Sequence, residues 1–424
     1  MKPQAPGKKV AVLGIGKSGY ESAVFLHSRG FQVFASDQGH GDSIRAAAGE
    51  LKRREIEVEF GSHSTDRILA SDWVLISPGI PPPSPIYQTL LKKGIPVFSE
   101  IEVASWYCPS SKIIAITGSA GKTTVTTLIT RVLQNCGFRA VSCGNIGNPW
   151  IGELAKIEAH DFVVLEVSSF QLQHCKSFHP QAAVLLNLSP NHQDWHRDMK
   201  EYVQAKLRLF QNQNEKDWAV LRREDQRGFF PDFQFRSRVI YFDVRKEANP
   251  NEEAVRAVTG LFGCHAEKTE EVLRGFEGIE HRLEKVAVLD RVTYVNDSKS
   301  TTPAALAWAL GKFPDARVIL LAGGHPKSSD FHHVRELLSR KTKAAILIGE
   351  ARPLLREAWQ GLCPLHETGD FRQAVLKAHQ LAAPGDVVLL SPACASFDMF
   401  QNYEERGRLF KSIVNELASL SIPT

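Results

Sequence analysis

One local design recurs three times along this chain and restricts it to few folds: an apolar, β-branched run that ends in a glycine-containing loop. VAVLGIGKSG opens at Val10, IIAITGSAGKTT at Ile113 and VILLAGGHPKSSD at Val318. A strand that runs through a glycine loop belongs at the carboxyl edge of a parallel sheet, where α/β proteins bind ligands. Between the openings, short apolar runs (VLISPG, FVVLEVSS, AAVLLNLS, AAILIG, VVLLSPA) alternate with helical periodicity. That alternation predicts α/β layers on mainly parallel sheets. At 424 residues the chain is too long for one core. Breaks are expected near residues 105–111, which contain Pro109, and in the glycine-rich stretch 275–282. The expected domains are residues 1–104, 105–280 and 281–424. They read as a Rossmann-like unit, a central P-loop ATPase-like domain and a C-terminal Rossmann-like α/β domain.

Composition narrows the function classes. The net charge of +4 is small for this length, and basic residues are scattered apart from Lys52, Arg53 and Arg54, which fit a solvated helix face. This argues against a nucleic-acid partner. No apolar run approaches a membrane span, so no membrane role is expected. Seven cysteines show neither a C-x-x-C pair nor a zinc spacing. An odd number of inert thiols fits a reducing, cytoplasmic setting. The run after Lys8 and Lys9 is short and glycine-rich, a strand rather than a signal peptide.

The second opening carries the most chemistry. The apolar run of Ile113, Ile114 and Ile116 enters Gly118-Ser119-Ala120-Gly121, followed by Lys122, Thr123 and Thr124 at a helix start. Loop N–H groups and the helix dipole converge there on one anion. Lys122 would reach the β- and γ-phosphates of ATP, and the Thr123 hydroxyl would hold Mg²⁺. Ile116 stands where the full G-x-x-x-x-G-K-[ST] pattern has its first glycine, so the motif is the shorter T-G-x-x-G-K-T-T. The alternative is an ordinary βα turn.

The first opening, Gly14-Ile-Gly16-Lys17-Ser18-Gly19, matches G-x-G-x-x-G, with Asp37 about 20 residues on. By itself it is a dinucleotide fingerprint and admits an NAD-dependent oxidoreductase. It serves equally for any nucleotide phosphate, and nothing downstream reads as a hydride-transfer site. Three further residues are ambiguous singly. Glu166 ends FVVLEVSS and is either a Mg²⁺ ligand or a strand-end carboxylate. His192 in NHQDWH is a metal or phosphate ligand or a loop histidine. Lys206 in EYVQAKLRLF is a solvated helix residue or, with a depressed pKa, a nucleophile towards CO₂.

Taken in order, TGSAGKTT, GNIGNP, EVSSFQLQ, NHQDWH and the downstream Lys206 resemble the central domain of the Mur ligases, the ATP-dependent amino-acid ligases of peptidoglycan synthesis. ISPGIPPPSP, GIPVFSEIE, GIEHRLE, NDSKSTTP and LSPACASFDMFQNYEERG extend the resemblance over essentially the whole chain, to the branch that adds D-glutamate. The resemblance implies UDP-N-acetylmuramoyl-L-alanine and D-glutamate as substrates, a monomer, ATP, two Mg²⁺ ions and a carbamylated Lys206. It places Lys17, Ser18, Asp37, Ser77 and Gly79 on the uracil nucleotide, Asn145 on the same substrate, and Ser168 and Gln171 on its muramoyl arm. Gly118, Ser119, Ala120, Gly121, Lys122, Thr123 and Thr124 would bind ATP, with Asn251 near adenine, Arg282 at the phosphates, and Asp297 and Lys299 beside the nucleotide. Thr123, Glu166, His192 and the modified Lys206 would hold metal. Lys122, His192, Lys206 and Arg282 would be catalytic. Thr301, Lys327, Ser396, Phe397 and Tyr403 would hold D-glutamate. Ligases of the same superfamily with other acceptors remain the alternative.

The chain also departs from that family's pattern. Ala120 replaces a loop asparagine, Asn191 an aspartate before the histidine, His325-Pro326 an aspartate-glycine pair, and Tyr403 a phenylalanine. Altered kinetics rather than lost activity are expected. Three substrates meeting on three domains imply closure of the C-terminal domain, with residues 280–282 as hinge.

Overall fold

The computed structural model describes residues 5–189, 195–242, 249–326 and 330–420. His192, Asn191 and Lys327 lie outside the described residues. The chain forms two compact units that divide between Phe276 and Glu277.

The first unit carries two parallel sheets. Strands β1 (Lys9–Leu13), β2 (Gln32–Asp37), β3 (Glu57–Phe60), β4 (Trp73–Ile76) and β5 (Val97–Phe98) lie in the order β3-β2-β1-β4-β5. Strands β6 (Ile113–Thr117), β7 (Ala140–Gly144), β8 (Phe162–Glu166), β9 (Ala182–Leu185), β10 (Trp218–Leu221) and β11 (Arg238–Tyr241) lie in the order β11-β10-β9-β6-β8-β7. Both orders reverse beside the strand that carries the glycine loop, which is where an α/β sheet opens a crevice at its carboxyl edge.

The apolar runs account for these strands. All five residues of β6 are buried, and β8 is likewise buried throughout. Such strands are covered on both faces, which is why they read as continuous rather than alternating hydrophobics. One core joins the two sheets, with Trp73, Phe98, Trp106, Trp150 and Phe178 in it. The Trp73 and Trp106 rings meet edge-on at 5.8 Å. On the other face of the second sheet the helix after the phosphate loop, Lys122–Asn135, packs Val125, Ile129 and Val132 against β6 and β8.

The second unit has one sheet, β12 (Glu284–Leu289), β13 (Val292–Asn296), β14 (Val318–Gly323), β15 (Thr342–Ile348), β16 (Leu365–Glu367) and β17 (Val387–Leu390), in the order β12-β13-β17-β14-β15-β16. Only the edge pair β12–β13 is antiparallel, and the other pairings are parallel. The expected α/β architecture is thus present, with three sheets. No described helix is long and apolar enough to cross a membrane. All seven cysteines are free thiols.

Candidate active site

The phosphate loop follows β6 directly. Gly121 caps the next helix at φ +82°. A side chain there would be strained, and its Cβ would lie 2.5 Å from Asn251 Oδ1. Asn251, near the start of the helix Pro250–Leu261, therefore sits against the loop, the side on which ATP binding was expected of it.

Neighbouring strands hold the loop in shape. The Asn187 amide, just beyond β9, accepts from Ala120 N–H at 2.9 Å and donates to Ala120 C=O at 3.1 Å. Ser119 N–H donates to Asn187 C=O at 3.0 Å. The Ser119 hydroxyl accepts from Ser189 N–H at 2.9 Å and meets the Tyr202 hydroxyl at 2.9 Å. Residue 120 is thus fixed through its backbone, which needs no side chain.

Two ammonium groups converge on one carbonyl. Lys122 Nζ donates to Gly118 C=O at 2.9 Å, and Lys206 Nζ donates to the same oxygen at 3.0 Å and to Thr117 Oγ1 at 3.2 Å. Lys206 is buried in the helix Met199–Leu207, with its Nζ 4.6 Å from the centre of the Tyr202 ring. Burial, and secondarily the Lys122 charge, push its pKa well below the ordinary lysine value.

Glu166 ends β8, beside β6. Its Oε1 accepts from Asn145 Nδ2 at 2.9 Å, whereas Oε2 is buried and has no hydrogen-bond partner. An orphaned carboxylate oxygen beside a phosphate loop fits a divalent cation, and the buried Thr123 lies in the first turn of the loop's helix. The same carboxylate ties down the turn after β7, because Asn145 N–H also donates to Glu166 C=O at 2.8 Å. Lys17 Nζ reaches that turn from the first sheet and donates to Asn148 Oδ1 at 3.2 Å.

In the first sheet the loops after β1, β2 and β4 are neighbours, which gathers Lys17, Ser18, Asp37, Ser77 and Gly79 at one edge. Asp37 has a structural duty: its carboxylate accepts from Ile15 N–H and Gly39 N–H, each at 2.7 Å. Ser168 and Gln171 cap their own helix, with Gln171 Oε1 accepting from Ser168 N–H at 3.0 Å.

In the second unit, the loops after the adjacent strands β13, β17 and β14 meet. Arg406, buried in the helix Tyr403–Leu420, joins them. Its guanidinium donates to Ser298 Oγ (3.0 Å), Ser298 C=O (2.8 Å) and the carbonyls of Cys394 and Ala395 (3.3 Å each). Burial lowers its pKa to about 10, so it stays charged. Gly324, at φ +131°, packs against Ala395 C=O, and a Cβ would collide with it. Asp297 accepts from Ser391 Oγ at 2.8 Å and Leu283 N–H at 3.2 Å, and burial raises its pKa to about 6. Lys299 Nζ lies 5.5 Å from the centre of the Tyr403 ring. Ser396 is buried, and Phe397 is 61% exposed. His325, at the family's aspartate position, contacts Glu350 through Nδ1 at 2.7 Å. Arg282 follows His281, which adopts φ +64°.

Sequence reasoning missed Asn187, Tyr202, Asn148 and Arg406. Asn187 had a signal, an amide just past a strand adjacent to β6. Arg406 had none, since a buried arginine in YEERGRLF looks like its solvated neighbours. A cavity of about 760 Å³ at the amino edge of the second sheet, lined in part by Ser105, Lys176 and Gln181, contains none of the expected site residues.

Three sheets, the middle one bearing a phosphate loop, define a multidomain nucleotide-binding α/β protein, and comparison with known proteins identifies its kind. The Mur ligase MurD-like N-terminal domain matches residues 8–99, the Mur ligase middle domain residues 116–271, and the Mur ligase glutamate ligase domain residues 281–394. UDP-N-acetylmuramoylalanine–D-glutamate ligase of Chlorobium phaeobacteroides is 36% identical over 97% of this chain and 99% of its own. The enzyme of that name from Pelotomaculum thermopropionicum is 37% identical over 97% and 98%. The chain belongs to the Mur ligase family, in the group of UDP-N-acetylmuramoylalanine–D-glutamate ligases. Its fold is shared by the UDP-N-acetylmuramate–alanine ligase of Thermotoga maritima (TM-score 0.55, 17% identity, 97% and 99% of the two chains). It is shared too by the MurF ligase of that organism (TM-score 0.57, 17% identity, 96% and 95%).

Proposed function

We propose that this protein is the ATP-dependent ligase that joins D-glutamate to UDP-N-acetylmuramoyl-L-alanine in peptidoglycan precursor synthesis. The observation that carries the reading is full-length similarity to enzymes of that name, 34–37% identical over nearly all of both chains. The phosphate loop, with Lys122 and Lys206 on one carbonyl, supports the ATP step.

A carboxylate acylates amines poorly, so it must first be activated. The terminal L-alanine carboxylate attacks the γ-phosphorus of ATP; an O–P bond forms, the β,γ-bridge breaks and ADP leaves. The D-glutamate amine then attacks the acyl carbon, losing a proton as the C–N bond forms and phosphate departs. Both steps gather negative charge on phosphoryl oxygens. Lys122 swings from Gly118 C=O to meet that charge, and Arg282 adds a second cation. Mg²⁺, held by Thr123 and Glu166 and, at a second site, by Glu166, His192 and the modified Lys206, would neutralise the phosphates and orient them. Lys206 gains its carboxylate by adding CO₂ to the neutral amine, which releases one proton.

In this reading Lys17, Ser18, Asp37, Ser77, Gly79 and Asn145 hold the UDP end, and Ser168 and Gln171 the muramoyl arm. Asn251, Asp297 and Lys299 serve the nucleotide. Thr301, Lys327, Ser396, Phe397 and Tyr403 receive D-glutamate. The domains divide near residues 104 and 280, and the enzyme works as a cytoplasmic monomer. The test is ADP release with UDP-N-acetylmuramoyl-L-alanine, ATP and Mg²⁺, comparing D-glutamate with L-glutamate and other amino acids. Release that requires both the nucleotide sugar and D-glutamate is expected. Release with another acceptor would reassign the acceptor pocket, and none with any acceptor would remove the reading.

A further inference from the structure

Glu100 opens the helix Glu100–Tyr107, which links the first two sheets, and its side chain points away from the phosphate loop's chemistry. It is 1% exposed, and its Oε1 accepts from Ile151 N–H at 2.6 Å. Ile151 lies in the first turn of the short helix Trp150–Glu153, which begins one residue after the 144–148 turn. That turn is fixed at its other end by Glu166, through Asn145, and is reached by Lys17 from the first sheet. A buried carboxylate is costly, so one retained here calls for a reason.

We propose that Glu100 is a positioning residue for the nucleotide-sugar substrate, holding the start of the Trp150–Glu153 helix and thereby the turn that presents Asn145 and Asn148. This rests on the functional reading above, in which Asn145 contacts that substrate.

Burial raises the Glu100 pKa to about 7, while the Ile151 and Trp150 N–H groups favour its ionised form. The groups that face it are Cys108, Cys143 on β7, Cys175, Glu102 on its own helix, and Glu153, which pairs with Lys156 at 2.9 Å. Glu21 packs against Gly152 from the helix Lys17–Ser28, and the His174 carbonyl bonds Ser99 N–H at 3.3 Å. Burial pushes the Cys143 and Cys175 thiols up and His174 down to about 4, so of these shifted groups Glu100 alone changes charge near neutrality. An ionised carboxylate accepts more strongly from N–H donors than a neutral carboxyl. The turn is therefore held tighter above pH 7.

The test compares Glu100→Ala, which removes the acceptor, with the isosteric Glu100→Gln, which keeps it but cannot ionise. In wild type, KM for UDP-N-acetylmuramoyl-L-alanine should fall as pH rises through about 7. Glu100→Gln should keep a KM within about twofold of wild type and lose that inflection. Glu100→Ala should raise the same KM about tenfold, with kcat and the KM values for ATP and D-glutamate changed less than about twofold. Hydrogen exchange of residues 144–153 should quicken in the alanine variant and not in the glutamine variant. Unchanged exchange, an unchanged nucleotide-sugar KM, or equal effects on all three substrates would overturn the proposal. If Glu100→Ala does not fold, a persisting inflection in Glu100→Gln overturns it alone. An enzyme inactive with this substrate would defeat the functional reading, while exchange would still report on the turn.

Discussion

Lys122 and Lys206 donate to the same oxygen, the Gly118 carbonyl, at 2.9 and 3.0 Å. Two ammonium groups sharing one acceptor repel each other, and the buried one yields its proton more easily. This arrangement prepares Lys206 to lose its charge and makes an anionic, carbamylated form welcome beside Lys122. Lys206→Ala should lower kcat by about 100-fold, and added short carboxylic acids should restore part of it. Carbon-13 NMR with labelled bicarbonate should show a carbamate signal that the variant lacks. Full activity in Lys206→Ala would end the carbamate proposal.

Asn187 clasps residue 120 from both sides of its peptide unit, which makes the missing asparagine at Ala120 tolerable. Asn187→Ala should lower kcat/KM for ATP by about tenfold or more, because two loop hydrogen bonds are lost. Ala120→Asn should change it by less than about threefold. Steady-state kinetics in ATP for the two variants checks both expectations.

Arg406 ties Ser298 to Cys394 and Ala395 across two loops. Replacing it by methionine leaves those buried carbonyls without their donor, at a cost of about 3 kcal/mol or more. Hydrogen exchange in residues 297–301 and 393–397 should rise together in Arg406→Met, and KM for D-glutamate should rise with it. Lysine should rescue little, since one ammonium cannot span the forked geometry.

Glu100 also links stability to pH. Its pKa is raised from 4.5 to about 7, so the folded protein binds the proton more tightly than the unfolded chain. The contribution is complete below about pH 4.5 and is lost as pH rises through about 7, amounting to about 3 kcal/mol. Glu100→Gln should therefore resist urea better than wild type at pH 8 and about equally at pH 5. Tryptophan fluorescence reads this directly, since Trp106 and Trp150 are buried beside the same contact.

The sequence by itself determined the strands, the three glycine loops and the order of the motifs, because hydrophobic periodicity and glycine placement act over a few residues. β6, β8 and β17 were legible as apolar runs, and Lys122 and Thr123 as phosphate-loop residues. The packing of neighbouring strands lay beyond reach. Only the tertiary structure decided that β9 lies beside β6, so that Asn187 meets Ala120 67 positions away. It also decided that Arg406 is buried under a loop 108 positions earlier in the chain. Burial is a property of what packs against a residue, and a charged side chain carries no local mark of it; for that reason Lys206, Glu100 and Arg406 acquired their properties only when distant segments excluded water from them.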